Sequence, residues 1–157
     1  MTDQELVEKL KASLGAMIVE IANPAKRRIF LTVEANNLVP AFSVIRKDIG
    51  LTFLSTVSGV EMGDAFEILY HLGHDNGNLN VRTRIPKADP HVASICSVIP
   101  GAILYERELQ DMFGIVVDGI PDPRPLLLSD DWPAGNHPLR KDFKFERPQE
   151  IIPGGKK

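Results

Sequence analysis

The chain has very little cysteine, and this absence limits the chemistry that it can support. Cys96 is the only cysteine among 157 residues. One cysteine excludes an internal disulfide, and it excludes a cysteine-ligated zinc or iron–sulfur site within this chain. Residues 93–99 around it are mostly apolar, so we expect a small buried side chain rather than a reactive thiolate.

Long apolar runs are also missing. No segment approaches the roughly 20 apolar residues that a membrane-spanning helix requires. The first residues contain neither the basic stretch nor the apolar core of an export signal, so export is not expected. The net charge of −3 provides no overall attraction to nucleic acid. We therefore expect a chain that is not exported and binds no nucleic acid.

Motifs for catalysis and for cofactor binding are absent as well. The four histidines, His71, His74, His91 and His137, lack the spacing of metal ligands. No glycine cluster forms a dinucleotide or P-loop motif, and no serine lies in a nucleophile elbow. The sequence therefore predicts no cofactor and no metal site in this chain.

The first half of the sequence predicts an α+β domain. A capping box from Thr2 to Glu5 and leucines at helical spacing predict a first helix, which Gly15 ends. Apolar runs at residues 17–21 and 28–33 predict a hairpin. A second helix is expected from Asn36 to Gly50.

Three strands and a final helix complete the predicted domain. Residues 52–58, 65–72 and 79–85 show period-two alternation, which is typical of an antiparallel meander. Turns are expected at residues 59–64 and 75–78. A helical region is expected from Asp89, broken at Pro100-Gly101 and resuming from about 102 to 113. The predicted fold is α+β, a mostly antiparallel sheet with flanking helices, over residues 1–115.

A proline-rich arm follows this domain. Seven of the chain's 12 prolines lie from Pro121 onward, which excludes a regular helix or a central strand. The segment nevertheless keeps large apolar side chains, which a disordered tail would lack: Leu126, Leu127, Leu128, Trp132, Leu139 and Phe143. We predict an extended, partner-binding C-terminal arm over residues 116–148, ordered only on a partner from Ile120 to Phe145, and a disordered tail over 149–157.

Charged residues on the last helix have two interpretations. Arg107 and Asp111 are four residues apart, and spacing alone favours an ion pair on a solvated helix face. The run Arg140-Lys141-Asp142 would, by itself, be a loop of mixed charge. Trp132 is more informative, because a tryptophan in an irregular segment commonly anchors an interface.

Two sequence blocks together resemble a known family. Residues 106–115 fit the pattern E-R-E-x-x-D-[LM]-[FY]-G-[IV], and residues 137–143 fit H-P-L-R-K-D-[FY]. Taken together, the blocks are similar to those of the 30-kDa subunit family of respiratory complex I. That family is shared with membrane-bound, energy-converting nickel–iron hydrogenases.

The resemblance implies a non-catalytic structural subunit on the cytoplasmic face of the cell membrane, attached to it only through other subunits. It implies docking to a hydrogenase-like large subunit and an iron–sulfur small subunit, which would hold the iron–sulfur clusters and any nickel–iron centre. The implied partner-binding residues are Glu106, Arg107, Glu108, Asp111, Asp131, Trp132, His137, Arg140, Lys141 and Asp142. We expect Trp132→Ala and Arg140→Ala, and Glu106→Ala likewise, to impair assembly without lowering the melting temperature.

The segment between the two blocks favours one branch of the family. Complex I members usually carry G-H-P-x-L-R-R-I-L there, whereas this chain has a different, proline-rich run from 119 to 128. The Asp-Asp-Trp-Pro at 130–133 and the short chain resemble the hydrogenase branch, which couples electron transfer from ferredoxin to protons with ion translocation. An NADH-quinone oxidoreductase subunit is the alternative, and the sequence also leaves open a sulfur-type reductase as the complex. A stand-alone acid–base enzyme using Glu106, Asp111 or His137 is a second alternative.

Overall fold

A five-stranded sheet packed against three helices forms the frame of the protein. The computed structural model describes residues 1–74 and 77–144, and over them the fold is α+β, as predicted. The main elements are α1 (Asp3–Leu14), β1 (Ile18–Ala25), β2 (Arg28–Val33), α2 (Leu38–Val44), β3 (Leu54–Met62), β4 (Ala65–His74), β5 (Gly77–Pro86), β6 (His91–Ala93), α3 (Ile103–Phe113) and β7 (Val116–Asp118).

The sheet is mostly antiparallel, as predicted. Its strand order is β1-β2-β5-β4-β3. The pairs β1–β2, β3–β4 and β4–β5 are antiparallel, whereas β2 and β5 run parallel. The parallel pair was not predicted from the sequence. It is possible because α2, β3 and β4 lie between these two strands in the chain and provide the long crossover that parallel pairing needs.

Helix α1 forms as its sequence predicts. The hydroxyl of Thr2 accepts the N–H of Glu5 at 3.3 Å, and the Glu5 carboxylate accepts the N–H of Thr2 at 2.8 Å. These two bonds satisfy N–H groups that have no partner within the helix. Leu6, Leu10 and Leu14 are buried in the core. The helix therefore packs against the sheet along one leucine stripe.

The second helix reaches Gly50, as predicted, but its last turn widens. After α2, residues Ile45–Ile49 form a π-helical turn. The N–H of Gly50 bonds the carbonyl of Ile45 at 3.0 Å. Gly50 has a φ of 83°, which glycine adopts without the strain that a Cβ would cause.

Two predicted segments differ in the structure. The region from Asp89 to Ile99 is not helical: β6 pairs there in parallel with β7. Val92 and Val117 are buried in this two-stranded sheet, so pairing of apolar β-branched residues outweighs the proline signal for a helix start. The turn expected at 59–64 is shorter, because β3 continues to Met62. Residues 75–76 of the last predicted turn and the tail at 149–157 lie outside the described residues.

No helix in the described part of the chain is both long enough and apolar enough to cross a bilayer.

Candidate partner-binding surface

Helix α3 positions most of the chemistry that the sequence singled out, beginning with Glu106. Glu106 is fully buried. Its carboxylate accepts the hydroxyl of Ser94 at 2.6 Å and the N–H of Ile95 at 2.7 Å. The thiol of Cys96 lies 3.1 Å from the same carboxylate. The interpretation of a solvated helix face is therefore wrong for Glu106, which fastens α3 to the loop after β6.

The environment of Cys96 agrees with the expectation of an unreactive thiol. The side chain is buried. Burial raises the pKa of the Cys96 thiol to about 11, and the neighbouring Glu106 carboxylate adds to this effect. The thiol therefore stays neutral near pH 7, because the charged thiolate would be poorly solvated and close to another carboxylate.

Asp111, one turn further along α3, binds the arm through main-chain groups. One oxygen of its carboxylate accepts the N–H groups of Leu126 and Leu127 at 2.8 Å and that of Leu128 at 3.2 Å. Asp111 itself is buried. Three N–H groups converging on one carboxylate resemble the main-chain nests that bind anions. The side chain thus fixes the path of a segment that proline prevents from forming regular structure.

Arg107 binds the preceding part of the arm. Its guanidinium donates to the carbonyls of Arg124 at 2.7 Å and Pro125 at 2.8 Å, and it lies 3.5 Å from the carboxylate of Asp122. The hydrogen-bonded Arg124 guanidinium and the charge of Arg107 hold the pKa of Asp122 well below its usual range. The expected Arg107–Asp111 pair is therefore not formed, because each side chain bonds the arm instead.

The second sequence block attaches to the end of α3. Nδ1 of His137 lies 3.0 Å from the carbonyl of Asp111, and Arg140 Nε donates to the carbonyl of Phe113 at 2.6 Å. The Arg140 guanidinium also lies 5.4 Å from the centre of the Phe66 ring, a cation–π geometry. At Gly114, which ends α3 with a φ of 67°, a Cβ would collide with the His137 ring.

A third attachment involves Glu61, which sequence reasoning missed. Its carboxylate accepts the N–H of Lys141 at 2.7 Å and pairs with the ammonium of Lys87. The bond from Lys87, followed by the N–H of Lys141, lowers the pKa of Glu61. Lys87 also lies 3.9 Å from Asp142. The signal was present in the sequence: Glu61 occupies an inward position of β3, where a carboxylate needs partners.

Trp132 contributes to the packing within the arm. Its Nε1 donates to the carbonyl of Asn136 at 2.8 Å, and its ring stacks on Phe143 with centroids 6.2 Å apart. Neighbouring Asp131 is exposed, and a hydrogen bond from Ser129 lowers its pKa. Glu108 is half-buried on α3. The part played by these three residues in binding a partner stays a prediction.

The arm leaves apolar side chains on the outside. Leu127 is 57% exposed and Leu139 is 54% exposed, and Trp132 between them in sequence is half-buried. We call Leu127, Trp132 and Leu139 the arm surface. The N–H groups of Leu127 and Leu139 bond to α3, while the side chains of these two leucines are largely uncovered by the described residues. Such residues are candidate anchors for a partner.

Side chains that could ligate a metal do not cluster in the part of the chain that the structure describes. Across residues 1–74 and 77–144, there is no group of three or more histidine, cysteine, aspartate or glutamate side chains that could hold a metal ion.

The fold and this surface define a class: a small α+β domain that holds its own proline-rich arm on its last long helix. Comparison with known proteins identifies the family. The chain belongs to the family described as respiratory-chain NADH dehydrogenase, 30 Kd subunit, whose model matches residues 31–149. That match includes most of the sheet, α3 and the arm.

Curated relatives have related names. The chain is 36% identical over 151 residues to an NADH-quinone oxidoreductase subunit of a Nocardioides species, covering 88% of this chain and 60% of that protein. It is 37% identical over 146 residues to the equivalent protein of Rhizobium meliloti, covering 88% of this chain and 71% of that protein. A relative from Rhizobium rhizogenes is covered over 58% of its length. The chain thus spans less than two thirds of some of these relatives.

Two solved structures share the fold. A chain of the archaeal membrane-bound sulfane sulfur reductase superimposes with a TM-score of 0.80 at 23% identity, covering 90% of this chain and 85% of that one. A trypsin-resistant fragment of Nqo5 superimposes with a TM-score of 0.63 at 22% identity, covering 78% of this chain and 99% of that one. At these identities the likeness is one of fold.

Proposed function

We propose that this chain is a structural subunit, with no catalytic centre of its own, of a membrane-attached respiratory oxidoreductase complex related to complex I. The observation that carries the proposal is the family match over residues 31–149, which extends through α3 and the arm. Identities of 36% and 37% to NADH-quinone oxidoreductase subunits support it.

The geometry of the arm supports a docking role. Arg107, Asp111 and Glu61 bond the backbone of the arm, which supports a path set by the domain itself. A pre-ordered segment loses less conformational entropy on binding than a disordered one. The exposed Leu127 and Leu139 then present apolar surface to a neighbour. We propose that the arm surface packs against a hydrogenase-like large subunit and an iron–sulfur small subunit on the cytoplasmic face of the membrane.

Within this role, an energy-converting hydrogenase is our first candidate. The Asp-Asp-Trp-Pro at 130–133, by its resemblance to that branch, favours a complex passing electrons from ferredoxin to protons with coupled ion translocation. An NADH-quinone oxidoreductase is the second candidate, because the curated relatives are named for it. In both cases the iron–sulfur clusters, and any nickel–iron centre, would lie in the partner subunits.

The contacts of Glu106 and Asp111 argue against a stand-alone acid–base enzyme. The carboxylate of Glu106 is fully buried and bonded to the loop after β6. The carboxylate of Asp111 is occupied by three N–H groups of the arm. A general acid or base must lie within hydrogen-bond reach of its substrate, and these two carboxyl groups are engaged within the chain.

The test is isolation of the assembly that contains the chain. A tagged copy expressed in its own cells is expected to purify from detergent-solubilised membranes with a large and a small redox subunit. Hydrogen evolution from reduced ferredoxin, with nickel in the preparation, would support the hydrogenase candidate. Quinone reduction by NADH would support the second one. A chain recovered only as a free monomer would refute both.

A further inference from the structure

A second surface lies at the opposite end of α3 from the attachment of the second sequence block. Phe53, just before β3, is 68% exposed, and Leu104, the second residue of α3, is 52% exposed. Phe53 forms one wall of a cavity of about 350 Å³, which also involves Arg46, Leu54, Ile99, Gly101 and Tyr105. This volume is at the lower end of the range for ligand cavities, about 300–1,000 Å³.

The walls of this cavity are fixed by bonds between side chains and backbone. Arg46 donates to the carbonyl of Val98, and the hydroxyl of Tyr105 donates to the carbonyl of Ser55 at 3.0 Å. These bonds connect the turn after α2, the loop before α3, α3 itself and β3. The site is therefore preformed, which lowers the entropic cost of filling it.

The exposed ring of Phe53 is also held in place. The backbone carbonyl of Phe53 accepts the N–H of Gly73 at 2.9 Å. The Phe53 ring covers Gly73 so closely that a Cβ on Gly73 would lie 2.8 Å from the ring. An exposed aromatic ring contributes little to the stability of the isolated chain. Rigid, exposed aromatic side chains are often the anchors of protein interfaces.

The charge of Arg46 indicates what the cavity would accept. Arg46 is an exposed residue, and among residues 1–74 and 77–144 its guanidinium forms no ion pair in addition to the bond to Val98. Guanidinium groups at interfaces favour carboxylates, which they bind through two parallel hydrogen bonds. The apolar walls formed by Phe53, Leu54 and Ile99 suit a large apolar side chain.

We propose that this cavity, hereafter the Phe53 cavity, binds a protein segment of a neighbouring subunit that presents a large apolar side chain next to a carboxylate. The proposal rests on the proposed function, because it requires the chain to be part of a complex. It adds a second docking point, separate from the arm surface, so that a neighbour would contact both ends of α3.

Gly101 provides the sharpest test, because a Cβ at this position meets no atom within 4 Å. Gly101 lines the Phe53 cavity, so Gly101→Leu adds a branched apolar side chain at its wall, where the Cβ has room. Phe53→Ser removes the exposed ring, and Val19→Ser on β1, at the far edge of the sheet, is its control, since Val19 is 55% exposed. The isolated Gly101→Leu and Phe53→Ser chains should keep the wild-type melting temperature.

The experiment is competitive assembly in cells that express tagged wild-type and variant chains together. Mass spectrometry measures the ratio of the two chains in the isolated complex and in the total extract. We expect Gly101→Leu and Phe53→Ser to be depleted from the complex about tenfold, the effect of a moderate interface hot spot, and Val19→Ser to incorporate normally. Normal incorporation of Gly101→Leu and Phe53→Ser would overturn the proposal.

Two Arg46 variants test the carboxylate. Arg46→Gln removes the charge and Arg46→Glu reverses it, so a facing carboxylate should make Arg46→Glu the more depleted of the two. Equal depletion of Arg46→Gln and Arg46→Glu would contradict the proposal that a carboxylate of the partner faces Arg46. A wild-type chain that never enters a complex would instead refute the proposed function, and the two failures are therefore distinguishable.

Discussion

At the scale of single residues, the acidic groups of α3 have separate structural tasks. The carboxylate of Glu106 bonds groups within the domain core, whereas the carboxylate of Asp111 bonds the backbone of the arm. From the sequence we expected Glu106→Ala to leave the melting temperature unchanged. Its burial and its bonds to Ser94 and Ile95 lead to a different prediction for the isolated chain.

Glu106→Ala should lower the free energy of unfolding by about 3 kcal/mol or more, because buried donors lose their acceptor. Glu108→Ala, on the same helix but only half-buried, is the matched control and should change it by less than about 0.5 kcal/mol. Urea denaturation measures both. Similar losses in the two variants would show that the carboxylate of Glu106 has no special role in the fold.

Asp111→Ala should release the first part of the arm. The N–H groups of residues 126–128 would lose their common acceptor, and bonds to a charged group are worth about 1.5–3 kcal/mol. Hydrogen exchange at these amides should accelerate by about ten- to a hundredfold, as mass spectrometry can show. Asp130→Ala, an exposed aspartate in the arm, is the control. Unchanged exchange in Asp111→Ala would mean that the contacts with the carboxylate do not order the arm.

At the scale of elements, the arm is an extension of α3 rather than an independent segment. We expected it to be ordered only on a partner. In the structure, residues 116–118 form β7 within the domain, and the arm is bonded to α3 and β3 at its beginning and its end. Proline removes the regular hydrogen bonds of the arm, and side chains of the domain supply replacements.

The attachment at Glu61 should weaken in acid. The pKa of Glu61 in the folded state lies below the ordinary value of 4.5. The carboxylate therefore stabilises the fold above pH 4.5, and this stabilisation is lost as the pH falls through the lower folded-state pKa. Trp132 is the only tryptophan and stacks on Phe143, two residues after Lys141. Its fluorescence should therefore report release of this end of the arm.

We expect the tryptophan emission of the wild-type chain to shift to longer wavelength as the pH is lowered below 4.5. Glu61→Gln should show much of this shift already at pH 7, because the ion pair with Lys87 is missing. Identical pH profiles for the two chains would show that another group controls the arm.

The difference between the predicted and observed elements has a physical basis. Helix α1 and the strands follow from local patterns, such as the capping box at Thr2 and the alternation in β4, which need no distant partner. The parallel pairing of β2 with β5 and the strand at 91–93 depend on residues far apart in sequence. The same applies to the site: the two blocks were visible in the sequence, but their contacts with each other and with Glu61 required the fold.

At the scale of the whole molecule, the central claim is that the domain holds the arm so that its apolar side chains meet another subunit. A single photo-crosslinking measurement tests this most directly. Leu127→p-benzoylphenylalanine places the crosslinker on an exposed part of the arm surface. The same replacement at Val19, on the far edge of the sheet, is the control.

Irradiation of the purified complex, followed by mass spectrometry, identifies the protein joined to each position. The account predicts that position 127 crosslinks to the large or the small redox subunit and that position 19 does not. A position 127 that forms no crosslink to another subunit, although the chain is present in the complex, would contradict the account.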